Sequence, residues 1–191
     1  MKILVFVEGT ALVFRAGKNL SRKERVKISQ GVGIQGETRK LAYLTKTLLP
    51  PVEPGSPYDF ATHLPSGNAV EKLKTWKNQG ATILYLTSRR IKQEIDAIKS
   101  VLKKYEFPDR KNLYFRHKNE DYKDVVERLM PDILIEDDCE SIGGEKEMTY
   151  TFIKPELKRK IKLIAVKEFG GMDHLPEDLD ELLKFYQQKT S

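Results

Sequence analysis

Apolar positions recur along this chain in two rhythms, short continuous runs and stripes at helical spacing. Ile3 to Val7 is a continuous apolar run that meets Glu8-Gly9-Thr10, the pattern of a buried parallel strand entering a turn. Ala81 to Leu86, Ile133 to Ile135 and Ile161 to Val166 read the same way, and Leu113 to Phe115 reads as a shorter strand. Between them, Val70, Leu73 and Trp76 fall at helical spacing over Asn68 to Asn78, with Gly80 as the terminator. Ile91, Ile95, Ile98 and Leu102 form one stripe over Ile91 to Tyr105. A helix over Tyr122 to Met130 is stopped by Pro131, and a last one spans Leu179 to Gln187 behind Pro176 and several acids.

From Arg15 to about Ser66 the rhythm breaks. The stretch reads as irregular through Gly31, Gly33 and Gly36, then as a helix over Glu37 to Leu49 closed by Pro50-Pro51, then as a long loop with four prolines or glycines. Strands alternating with helices on either side of it predict an α/β fold, a three-layer Rossmann-like parallel sheet with helices on both faces. The expected core is 1–14 with 67–191, and 15–66 is a small inserted cap.

Composition narrows the class. At 191 residues, with 39% apolar and 32% charged positions, the chain can build a core without metal or disulfide. Its single cysteine, Cys139, excludes an intrachain disulfide and a cysteine-rich zinc cluster. No apolar run nears the roughly 20 residues of a membrane helix, and Ile3 to Val7 is too short for a signal core. A soluble cytoplasmic protein with no membrane partner is the expectation. The net charge of +6 is uneven: Arg15, Lys18, Arg22, Lys23, Arg25 and Lys27 face only Glu24, and six bases from Lys154 to Lys167 face only Glu156. Such clusters attract anions, whether phosphorylated metabolites or nucleic acid, or are simply a solvated surface.

Polar residues gather just past the carboxyl ends of three strands: Glu8 and Thr10, Thr87 and Ser88, and Glu136 to Asp138. Ligands of open α/β sheets sit at that edge. Each piece has an ordinary reading as well, a turn, a helix cap or an acidic loop, so their order and spacing carry the signal.

In that order the segments resemble the haloacid dehalogenase superfamily of phosphohydrolases over about residues 1–14 and 67–187. The first family motif, a strand followed by Asp-x-Asp-Gly-Thr, stands here as Phe6-Val7-Glu8-Gly9-Thr10. The second stands as Ile83 to Arg89, with Thr87 and Ser88 after the strand, and the fourth as Asp132 to Asp138. His174 through Leu183 looks like the closing helix, and the acids with an upstream lysine look most like the nucleotidase-like branch.

In that family a carboxylate attacks phosphorus, Mg²⁺ bridges nucleophile and phosphoryl oxygen, and a second carboxylate moves the proton. The resemblance implies catalytic roles for Glu8, Thr87 and Lys123, and phosphate contacts from Thr10, Thr87, Ser88 and Lys123, with Lys118 the rival lysine. It implies Asp137, Asp138 and Glu8 as metal ligands. The nucleophile position, however, is Phe6. A phenyl ring neither attacks phosphorus nor binds metal, and no other acid precedes Gly9 except Glu8. The reading is therefore a protein with a degenerate site that binds a phosphate or nucleotide, or acts as a scaffold, and holds Mg²⁺ weakly. Two alternatives stay open: a Mg²⁺-dependent phosphatase or nucleotidase using water activated by Glu8, and a nucleic-acid binder using the basic cap.

Overall fold

The computed structural model describes residues 1–32 and 52–185. Five parallel strands form the central sheet: β1 (Lys2–Phe6), β4 (Thr82–Leu86), β5 (Leu113–Tyr114), β6 (Ile133–Asp137) and β7 (Lys162–Val166). Their order is β5-β4-β1-β6-β7, which puts the first strand in the middle. Phe6 lies opposite Leu86 of β4, and Val5 opposite Ile135 of β6, so the motif-bearing ends of three strands lie side by side.

The apolar runs have no polar alternation because both faces of the sheet are covered. Ile3, Val5, Ile83, Tyr85, Ile133, Ile135 and Ile164 pack on one face, against Leu73 and Trp76 of α2 (Ala69–Asn78). Ile95, Ile98 and Leu102 of α3 (Lys92–Lys104) and Leu182 of α7 (Leu179–Lys184) complete that layer. Leu4, Leu84, Leu86 and Leu134 pack on the other face, against Val125 and Val126 of α4 (Tyr122–Leu129). The result is the three-layer parallel α/β sandwich.

A two-stranded antiparallel ribbon, β2 (Leu12–Val13) with β3 (Leu64–Pro65), joins the segment after β1 to the segment before α2. Val13, Phe14, Val26 and Phe169 make a small apolar cluster beside it. The stretch read as irregular before Glu37 instead holds helix α1 (Arg22–Val32). Its start is a capping box: the Ser21 hydroxyl and amide both donate to Glu24 Oε2 (2.6 and 2.7 Å), and the Glu24 amide donates back to Ser21 Oγ at 3.3 Å. Two further helices, α5 (Thr149–Phe152) and α6 (Pro155–Lys158), fill the connection between β6 and β7. The helix expected over 37–49 lies outside the described residues, as does the last helix beyond 185.

Candidate functional site

Strand β1 delivers Phe6 and then Glu8 to the carboxyl edge of the sheet. Phe6 is half-buried and meets Tyr122 edge-on, ring centroids 5.7 Å apart. Glu8 turns toward β4. Thr87 Oγ1 donates to Glu8 Oε1 at 2.5 Å, and the Ser88 amide donates to Glu8 Oε2 at 3.0 Å. The Arg89 guanidinium stands 3.8 Å from the same carboxylate. Both oxygens of Glu8 therefore close the turn that follows β4. Thr87 is wholly buried and also accepts the Arg89 amide at 3.1 Å. Neither Thr87 nor Ser88 caps α3, whose first residue is Lys92.

The acids of β6 point to different places. Asp137 is buried beneath Gly9: Thr10 Oγ1 donates to its Oδ2 at 3.1 Å and the Cys139 amide to its Oδ1 at 3.0 Å. A Cβ on Gly9 would stand 2.7 Å from Asp137 Oδ2, and Gly9 has a φ of +81°, so only glycine fits this approach. Desolvation, reinforced by the negative charge of Glu168, pushes the Asp137 carboxyl up to about 8. Glu168, two residues past β7, is buried and accepts from both the amide and the hydroxyl of Ser141, at 2.7 and 2.6 Å. Asp138 faces away: it accepts the Glu168 amide at 3.0 Å and pairs with Lys167 at 2.9 Å. Glu136 accepts the amides of Thr149 and Tyr150 at 2.9 and 2.8 Å, and burial pushes it up to about 7.

Above this edge lies a cavity of about 440 Å³. Its lining carries three bases, Arg89, Arg116 and Lys123, and five acids, Glu8, Asp121, Glu136, Asp137 and Glu147, of which Glu8, Glu136 and Asp137 are engaged by the hydrogen bonds above. The Arg89 guanidinium donates twice to Ser88 Oγ, at 2.9 and 2.6 Å, and lies 4.7 Å from the centre of the Phe60 ring. Arg116 lies 3.7 Å from the centre of the Tyr122 ring. Both arginines are more than nine-tenths buried, and these stacked placements offset part of their desolvation. Lys123, at the start of α4, lines the cavity, whereas the exposed Lys118 does not. Phe14, Phe60 and Phe169 add aromatic surface to the lining, together with Pro57 and His63.

A Mg²⁺ site of the kind the resemblance implies needs several converging oxygens. Among the described residues no three His, Cys, Asp or Glu side chains come together as such a group. Asp137, Asp138 and Glu8 point to three different partners, so this donor set does not fit a bound Mg²⁺. Of the residues expected at the site, Glu8, Ser88, Lys123 and Asp137 line the cavity. Thr10 and Thr87 sit just behind it, fully buried, holding Asp137 and Glu8.

Four lining or supporting residues escaped sequence reasoning. Arg116 follows β5 by two residues and Glu168 follows β7 by two, so both obey the strand-end rule that singled out the others. Arg89 stood within the second motif without a role. His63 had no signal at all, because it comes from the insertion.

The chain matches no protein-family profile and no curated protein sequence. Among solved structures it is similar to a class C acid phosphatase from Bacillus anthracis with tungstate bound. The TM-score is 0.50 at 14% identity, covering 89% of this chain and 68% of that one. It is also similar to a chain in the structure of the Pnkp1/Rnl/Hen1 RNA repair complex, with a TM-score of 0.46 and 14% identity over 87% of this chain and 43% of that one. The first likeness, with the strand order above, shows a Rossmann-like α/β core with a five-stranded parallel sheet.

Proposed function

We propose that this protein binds a phosphorylated small molecule, with a nucleotide as the reference case, and does not form an aspartyl-phosphate. The observation that carries the reading is the floor of the cavity. Phe6 stands at the position that the motif resemblance assigns to the nucleophile, and both oxygens of Glu8 are engaged by Thr87 and Ser88. Neither side chain is set to attack phosphorus or activate water. Arg89, Arg116 and Lys123 meanwhile bring three cationic groups to the same cavity. Guanidinium forks suit the oxygens of a phosphate, and burial strengthens each charge-assisted hydrogen bond. Pro57, Phe60 and His63 line the same cavity, which supports reading the stretch they come from as a cap.

Melting-temperature shifts with inorganic phosphate and nucleoside 5′-monophosphates, run beside turnover of p-nitrophenyl phosphate with and without Mg²⁺, test this directly. The expected result is stabilisation by a phosphorylated ligand without turnover, and with no added effect of Mg²⁺. Turnover that requires Mg²⁺ and is lost in Asp137→Asn would establish the phosphatase reading instead.

A further inference from the structure

The cavity is larger than its charge requires. At about 440 Å³ it falls among pockets that enclose a whole small molecule, far beyond a phosphate group. Much of its lining is apolar and aromatic, and among those side chains stands a buried imidazole that the fold leaves without a well-formed hydrogen bond. His63 is 4% exposed and lines the cavity; its ring nitrogens make no well-formed hydrogen bond, and the Pro57 carbonyl is the one backbone acceptor that acts on the ring. Its ring stands edge-on to Phe60 at 5.2 Å. A buried polar group without a good hydrogen bond costs stability, so an apolar residue would serve packing better.

We propose that His63 reads the hydrogen-bonding edge of a planar ring in the ligand whose phosphate is held by Arg89, Arg116 and Lys123. This rests on the phosphate-binding reading above and adds the ring. A phosphate alone leaves the aromatic lining uncovered, and a sugar phosphate leaves it unmatched. A phenyl ring covers it without meeting the imidazole. A nucleobase does both. Arg89 links the cationic and aromatic parts of the lining, since it stacks on Phe60, the ring that His63 meets edge-on, and donates to Ser88. Burial, opposed by the nearby Glu8, Asp59 and Pro57 carbonyl and aided by Arg89, lowers His63 to about 4. The imidazole is then neutral at physiological pH and offers one donor and one acceptor.

Calorimetric titration of the intact chain with four ribonucleoside 5′-monophosphates, ribose 5-phosphate and phenyl phosphate separates these possibilities. At least one nucleotide should bind about tenfold more tightly than both ribose 5-phosphate and phenyl phosphate. His63→Phe, which keeps the ring volume, should erase that advantage and leave ribose 5-phosphate unchanged. The wild-type protein gives a second readout, since it has only three histidines. The imidazole proton resonances of His63 should move with the preferred nucleotide and stay still with ribose 5-phosphate. If ribose 5-phosphate or phenyl phosphate binds as tightly as every nucleotide, or the His63 resonances stay still, the role of His63 is overturned while the phosphate site stands. If none of the phosphorylated ligands binds, both readings fall together.

Discussion

Two side chains decide what this carboxyl edge can do, Phe6 by its chemistry and Asp137 by its surroundings. The Phe6 ring packs between the face that carries Leu4, Leu86 and Leu134 and the edge of Tyr122. Phe6→Asp would set a carboxylate among those groups, and we expect a loss of roughly 3 kcal/mol in urea denaturation. Asp137 makes the protein pH-sensitive. Its carboxyl titrates near 8 in the fold, and that of Glu136 near 7, against ordinary carboxylate values in the unfolded chain. Between about pH 4 and 8 the folded state then holds protons that the unfolded state has released, so stability falls as pH rises through that window. His63 acts oppositely, but only below its ordinary value of 6.5. In metal-free buffer the melting temperature should therefore drop from pH 6.5 to 8. Asp137→Asn keeps an acceptor for the Cys139 amide and should melt higher than wild type at pH 8. An unchanged slope in that variant would mean that other groups carry the pH dependence.

At the scale of elements, the sequence announced what periodicity can announce. Every central strand except β5 is a buried β-branched or leucine-rich run, and each is found where the pattern puts it, within two residues. α2, α3 and α4 have stripes because one side of each faces the sheet. Helix α1 has no such stripe. Only Val26 is buried with the apolar cluster there and Ile28 packs partly against it, so hydrophobic periodicity could not reveal it. Its signal was Ser21 and Glu24, three residues apart, which is a cap pattern and not a core pattern. What fixes α1 is Arg25. Its guanidinium donates to the carbonyls of Gly17, Phe169 and Lys18, at 2.7, 3.0 and 3.1 Å, tying the insertion to the segment after β7. Arg25→Ala strands three carbonyls and should cost on the order of 2 kcal/mol by thermal or chemical denaturation. The neighbouring exposed Lys23 is the control, and Lys23→Ala should change stability by less than about 0.5 kcal/mol.

At the scale of the whole molecule, the three strand-end segments were legible as neighbours because alternating strands and helices imply parallel strands, whose carboxyl ends share one edge of the sheet. The orientation of each side chain was not legible. Asp137 and Asp138 are adjacent in sequence, yet on a strand they face opposite sides, one toward Thr10 and the other toward Lys167. The same limit applies to the net charge of +6. As a sequence, its two basic clusters look like a surface for a polyanion. In the fold, six of those twelve bases hold parts of the protein itself. Arg22 pairs with Glu140, Arg25 holds three carbonyls, Lys154 pairs with Glu127 and Lys167 pairs with Asp138. Lys158 and Lys162 donate to the carbonyls of Thr151 and Leu183. A base held by the fold releases few counterions when DNA approaches, and counterion release is what makes non-specific affinity steep in salt, with a slope near −0.9 per phosphate neutralised. Anisotropy titrations of a labelled DNA duplex between about 50 and 200 mM salt should then give a logarithmic slope shallower than about −3. A slope of about −6 or steeper would mean that both clusters act together on the phosphate backbone, and would move the protein from small ligands to nucleic acid.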